Sequence, residues 1–268
     1  MRIRFVKTLR LYPMFLAAAF TVHSAMGQDL EPAKAGKAAP KPTNPALIDV
    51  ADESGQPRVL LIGDSISIGY TLGVRQKLKG LANVHRPPEN TGDTAFGLTR
   101  LDGWLGQGHW DVIHFNFGLH DLKYLDAKGN YVSPEKGTQV ASPKVYGEQL
   151  RALTLRLKAT GAKLVFATTT PVPVGTKGRV AGDEKAYNAV AMGVMKDLEV
   201  PVDDLCGFVV EQQMKKAPPA GPDVKHAKGN RQADGIQCHA NVHFTEQGYQ
   251  QLSEQVAASI QKVLPANR

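Results

Sequence analysis

A serine that closes an apolar run and a histidine far downstream are the residues of this chain whose setting suits acyl transfer. Val59, Leu60, Leu61 and Ile62 lead into Gly63, Asp64 and Ser65. Four apolar residues ending at a small one predict a buried strand, and the apolar spacing over 66–79 predicts a helix. Ser65 then falls where strand turns into helix. A hydroxyl there sits at the carboxyl edge of a sheet, beside the positive end of a helix dipole and backbone N–H groups able to hold a negative oxygen. A serine nucleophile needs that environment. The same junction also serves plain helix capping, which asks nothing of the hydroxyl's reactivity.

Three further blocks follow in order. Thr91-Gly92-Asp93-Thr94 closes a polar loop. Gly118-Leu119-His120-Asp121 ends a second apolar run. His243 stands five residues before Gly248-Tyr249, at the opening of a C-terminal helix. Together with Gly63-Asp64-Ser65 these blocks resemble those of the SGNH (GDSL-type) hydrolase family over about residues 57 to 264, and the carbohydrate-esterase members in particular. The resemblance implies Ser65 as nucleophile, His243 as general base, and an oxyanion hole made by Ser65, Gly92 and His120. It also implies an ester substrate. Two positions depart from the family pattern: His120 stands where the family has asparagine, and Ala240 stands where it has the acid that orients the histidine.

Asp234 and Asn241 are the side chains available to replace that acid. Asn241 could orient the imidazole but not offset its charge, whereas Asp234 could do both if its loop folds back, and Asp234 is the expected third member. A dyad helped by a backbone carbonyl is the other arrangement. His120 can donate an N–H as an amide does, but it titrates. Asp64, Asp121, Tyr124 and Arg179 are the candidate substrate contacts, Asp121 also fixing its loop. His114, His120, His239 and His243 are numerous enough for a metal, yet His239 and His243 precede the helix that would align them and His114 lies among apolar neighbours. No metal and no cofactor are expected.

The N-terminus bounds where this chemistry takes place. Arg2, Arg4, Lys7 and Arg10 precede an apolar stretch and the small residues around Gly27, the pattern of a secretory signal over residues 1–27. The chain carries a formal +7, which becomes about +3 without these four basic residues; this is not the charge of a nucleic-acid binder. Residues 28–56 begin rich in Ala, Pro and Lys and read as a flexible tether. Residues 57–268 suffice for one well-cored domain. The chain has two cysteines, Cys206 and Cys238. In an oxidising compartment they can pair and brace the loop bearing His243.

Strand-like runs at 58–62, 83–86, 111–116, 163–168 and 200–202 alternate with helix-like stretches at 66–79, 97–104, 144–160, 184–198 and 245–263. Such alternation predicts an α/β domain: a flavodoxin-like three-layer α/β/α fold with a five-stranded parallel sheet and its ligand at the carboxyl edge. Loops 123–143 and 171–183 would wall that edge, and residues 215–237 read as irregular. Gly, Tyr, Lys and Arg in the walls suit a hydroxylated substrate. The expectation is a secreted or periplasmic, single-domain serine esterase removing acetyl groups from a sugar or polysaccharide, without membrane insertion after signal cleavage. The alternatives are a lipolytic esterase of the same fold and a non-catalytic glycan-binding protein on a degenerate hydrolase fold.

Overall fold

A computed structural model describes residues 44–216 and 233–265, with the backbone alone at 216 and 233–234. The signal segment and most of the tether lie outside the described residues.

Five parallel strands form the central sheet: β1 (Arg58–Ile62), β2 (Asn83–His85), β3 (Val112–Phe115), β4 (Lys163–Ala167) and β5 (Val202–Asp203), in the order β2-β1-β3-β4-β5. Leu60 lies opposite both His85 and Ile113, and Ile113 opposite Leu164. Every residue of β3 is buried and nearly every one of β1, as strands covered on both faces must be. The helices α1 (Ser65–Lys77), α2 (Thr94–Leu105), α3 (Pro143–Lys158), α4 (Glu184–Asp197), α5 (Leu205–Lys216) and α6 (Glu246–Gln261) fill both faces. On one side α1 packs along α6; α2, α3 and α4 pack on one another in sequence.

Each site-bearing helix starts on a side-chain cap. The carboxylate of Asp64 accepts from the Ile66 N–H (2.9 Å), and that of Asp93 from the Phe96 N–H (2.9 Å). The Thr245 hydroxyl accepts from the Gly248 N–H (3.0 Å). These contacts satisfy donors that a helix start leaves open.

Helix α1 approaches α6 unusually closely, because two of its residues lack side chains. A Cβ on Gly69 would lie 2.1 Å from the ring of Tyr249, and one on Gly73 2.5 Å from the Ser253 hydroxyl. The helix that begins at Ser65 is thereby seated directly on the helix that follows His243.

Arg86, just beyond β2, is buried, and all its guanidinium nitrogens are used. Nε donates to the Pro87 carbonyl, Nη1 to the hydroxyls of Ser67 and Thr71, and Nη2 to the carbonyls of Gly63 and Glu89. Every acceptor is neutral, and burial pulls its pKa down to about 10. One side chain thus joins the turn before Ser65, the first turns of α1 and the loop leading to Gly92.

Several elements depart from the sequence expectations. Residues Leu205–Lys216 form α5, which no apolar pattern announces. The stretch before His243 is not irregular throughout: Ala233–Asp234 and Gln237–Cys238 form an antiparallel hairpin. Gln237 anchors it from a buried position, its amide donating to the carbonyls of Pro171 and Val242. Finally, Cys206 and Cys238 are free thiols rather than a disulfide. Cys206 starts α5, where its thiol is engaged by Asn188 and burial pushes it up to about 11, while Cys238 lies in the hairpin with its N–H on the His243 carbonyl.

Replacing Arg86 by Met should lower the free energy of unfolding by about 3 kcal/mol, because five hydrogen bonds, four of them buried, lose their donor. Urea denaturation of the variant measures this. A loss below about 1 kcal/mol would show that the three segments hold together without the guanidinium.

Candidate active site

Ser65 opens α1 at the carboxyl edge of the sheet, and its N–H belongs to the first turn, where no carbonyl of the same helix is available. Its Oγ lies 2.9 Å from Nε2 of His243, across 178 residues of sequence. The other ring nitrogen of His243, Nδ1, lies 2.7 Å from Oδ1 of Asn241, and the His243 backbone N–H donates to the same oxygen (3.1 Å). An amide oxygen can only accept, so Nδ1 carries the proton and the lone pair of Nε2 faces the serine hydroxyl. The tautomer required of a general base is set by its neighbours.

The position facing Nδ1 therefore belongs to Asn241 and not to Asp234. The turn that arranges this contains Ala240, whose φ of 49° is left-handed. Asp234 pairs through its backbone with Gln237 on the hairpin, and its side chain lies outside the described residues. Burial lowers the pKa of His243, the nearby Arg179 lowers it further, and Asp64 opposes both. Asn241 contributes no compensating charge.

His120 is held in the complementary state. Lys123 Nζ donates to its Nδ1 at 3.2 Å. An ammonium offers protons only, so Nδ1 is the acceptor and Nε2 bears the hydrogen. That Nε2–H has no partner among the described residues. Burial depresses the His120 pKa, Lys123 and Arg179 depress it again, and Asp64 and Asp93 act the other way. The imidazole is a neutral donor, which is what the amide expected there would have been.

Gly92 stands differently from its expected role. Its φ of 64° suits a residue without Cβ, but its N–H donates to Oδ1 of Asn90 at 3.0 Å. That N–H is occupied, so the open donors near the serine are the Ser65 N–H and the His120 Nε2–H. Gly118 opens the His120 loop at φ 151°, where a Cβ would strike the Thr169 hydroxyl at 2.0 Å.

An open cleft of about 290 Å³ lies over Ser65 and His243, with His120, Tyr131, Lys177 and Arg179 in its walls. Of the four candidate substrate contacts, only Asp64 and Arg179 line it. Asp64 is mostly buried and its carboxylate is engaged as a helix cap. Asp121 cannot touch substrate: it is fully buried, with Oδ1 accepting from the Thr94 N–H and hydroxyl. Tyr124 is placed in the small sheet formed by Tyr124–Leu125 and Thr138–Gln139, and Tyr131 from the same loop reaches the cleft instead. Lys123 was not legible as a site residue, its only sequence signal being that it lies three positions after His120. Of the four histidines weighed for a metal, His114 is buried against Asp203 (3.1 Å) in the core. Among the described residues no three metal-ligating side chains come together.

Fold and site together define a serine-dependent acyl hydrolase. The model of the GDSL-like Lipase/Acylhydrolase family matches residues 61–251, most of the chain, which therefore belongs to that family and is a carboxylic ester hydrolase. Among solved structures it is similar to the acetyl xylan esterase AlAXEase, with TM-score 0.57, 15% identity, and 76% of this chain and 99% of that one covered. It is also similar to a lipase/acylhydrolase from Enterococcus faecalis, with TM-score 0.56, 19% identity, and coverage of 80% and 100%. The acetylxylan esterase Axe2 from Geobacillus stearothermophilus gives TM-score 0.54 at 14% identity, with 77% and 94% covered. At such identities the likeness is one of fold. No curated protein matches in sequence.

The buried carboxyl of Asp121 makes stability depend on pH. Burial pushes its pKa up to about 7, and its Oδ2 has no partner among the described residues. The folded protein keeps this proton over a range in which the unfolded chain, with a carboxyl pKa of about 4, has lost it. Stability should therefore fall as pH rises from about 4 to about 7. Asp121→Asn should flatten that part of a plot of melting temperature against pH. An unchanged slope would assign the dependence to other groups.

Proposed function

We propose that this protein is an exported serine esterase that removes acetyl groups from a sugar or polysaccharide through an acyl-enzyme on Ser65. The observation that carries the proposal is the relay Ser65–His243–Asn241, in contact throughout and opening onto a cleft walled by polar and cationic side chains. Ser65 Oγ attacks the ester carbonyl while Nε2 of His243 takes its proton. The carbonyl oxygen becomes negative and receives hydrogen bonds from the Ser65 N–H and the His120 Nε2–H. The tetrahedral intermediate collapses, the bond to the alkoxy oxygen breaks, and His243 returns the proton to the departing sugar hydroxyl. Water then repeats the sequence, releasing acetate and restoring the serine.

Asn241 supplies orientation without charge, as the asparagine does in Cys-His-Asn proteases. His243 must be unprotonated to act, and its depressed pKa keeps it so into mildly acidic solution. The polar and cationic groups in the cleft fit a hydroxylated carrier, and similar solved structures include acetyl xylan esterases. Export rests on the signal-like residues 1–27.

A series of nitrophenyl esters of increasing acyl length, run beside acetylated oligosaccharides, tests the substrate class. Acetyl esters should be preferred, and preference for long acyl chains would replace this reading with a lipolytic one. Labelling by a fluorophosphonate should occur and should vanish in Ser65→Ala. Absence of Ser65-dependent labelling would leave a glycan binder.

The two unusual side chains make separate predictions. His120→Ala should lower kcat by about 10²–10³ with KM nearly constant, and His120→Asn should recover much of the loss. If His120 served only structure, both variants would lose stability and keep kcat. Asn241→Asp should raise the His243 pKa by adding a negative charge, moving the acidic limb of the pH–rate profile to higher pH. An unmoved limb would mean that Asn241 does not act on the imidazole.

A further inference from the structure

The cleft carries more positive charge than an acetyl ester requires. Arg179 and Lys177 both line it, and the single acidic side chain in its walls, Asp64, is engaged by the Ile66 N–H. Among the described residues every ion pair within 4.0 Å involves other cations, so neither Arg179 nor Lys177 has a carboxylate partner at that range. Arg179 is held in place without being neutralised. Its Nε donates to the Leu119 carbonyl at 3.0 Å, and its guanidinium carbon lies 5.5 Å from the centre of the Tyr131 ring. Lys123 lies on the same ring at 5.5 Å. Tyr131 is thus flanked by two cations, with the guanidinium held by the Leu119 carbonyl and by a hydrogen bond to Tyr131 itself.

Burial lowers the Arg179 pKa while Tyr131 and the Asp64 carboxylate oppose it, and the half-buried guanidinium has no carboxylate in contact. Its planar fork matches a carboxylate or sulfate in two parallel hydrogen bonds. A flexible, exposed lysine two residues away adds charge without fixed geometry. Neither group is needed to activate Ser65, since His243 takes that proton.

Resting on the esterase reading above, we propose that the natural substrate is an acetylated sugar bearing a second, anionic group, a carboxylate or a sulfate, that Arg179 and Lys177 hold beside Ser65. The anion stays on the sugar through both halves of the reaction, and only the acetyl ester bond is broken. The cationic wall then serves to choose the substrate and orient it.

The test compares kcat/KM for acetylated methyl glucuronoside, the corresponding acetylated glucoside sulfate and the uncharged acetylated methyl glucoside. At least one anionic substrate should exceed the neutral one by about tenfold or more, the difference lying in KM and shrinking as salt is added. The two anionic substrates separate carboxylate from sulfate. Lys177→Glu, a change at an exposed position, should reduce or invert the ratio of anionic to neutral rates, and Arg179→Gln should bring it toward unity. Equal rates for all three substrates in the wild type would overturn the proposal while leaving the esterase intact. If no ester were cleaved and no Ser65-dependent labelling occurred, the esterase reading itself would fail. The anion site is then decided separately by calorimetric titration of Ser65→Ala with methyl glucuronoside and methyl glucoside. Tighter binding of the glucuronoside supports the site, and equal binding refutes it.

Discussion

The catalytic edge of this molecule depends on a buried cation that has no anion. Arg86 spreads its guanidinium over carbonyls and hydroxyls from three segments, among them the Gly63 carbonyl immediately before the nucleophile turn. A carboxylate partner would have offset the charge but tied it to one point. Neutral acceptors distribute it over carbonyls and hydroxyls of all three segments. The turn that presents Ser65 and the loop that reaches Gly92 are consequently fixed by the same side chain.

The two histidines illustrate how one side-chain type is made to do opposite work. Each has one nitrogen committed by a neighbour that can only accept or only donate. The Asn241 oxygen leaves His243 with a basic nitrogen at the serine; the Lys123 ammonium leaves His120 with a donor hydrogen on Nε2. Neither assignment needs a carboxylate partner for the imidazole. The absence of an acid at Ala240 and of an amide at residue 120 are therefore parts of one arrangement, in which tautomers are set by hydrogen bonding and both rings stay neutral.

Much of this was legible in the chain. The apolar runs at 58–62 and 163–167 and the small residues that end the first of them specify buried parallel strands, and the four short blocks in order specify the edge at which they meet. The rest lay in directions that spacing does not encode. Asn241 and Asp234 are both near His243 in sequence, and only the left-handed turn at Ala240 decides which one faces the ring. Asp121 and His120 are adjacent, yet one is fully buried and the other lines the cleft. Tyr124 and Tyr131 share a loop whose pairing with residues 138–139 turns the second inward. Helix α5 escaped because it follows a two-residue strand and carries polar residues over much of its length. The cysteines were read from their number and compartment, whereas the fold gives each thiol its own surroundings.

The glycine-lined seam between α1 and α6 joins the two halves of the relay. Ser65 belongs to the strand-and-helix unit at the centre of the sheet, His243 to the hairpin and terminal helix laid against it. Proteins open in such units at free energies below that of complete unfolding. An opening of α6 from α1 would part the imidazole from the hydroxyl, so activity would report on the docking of that one helix.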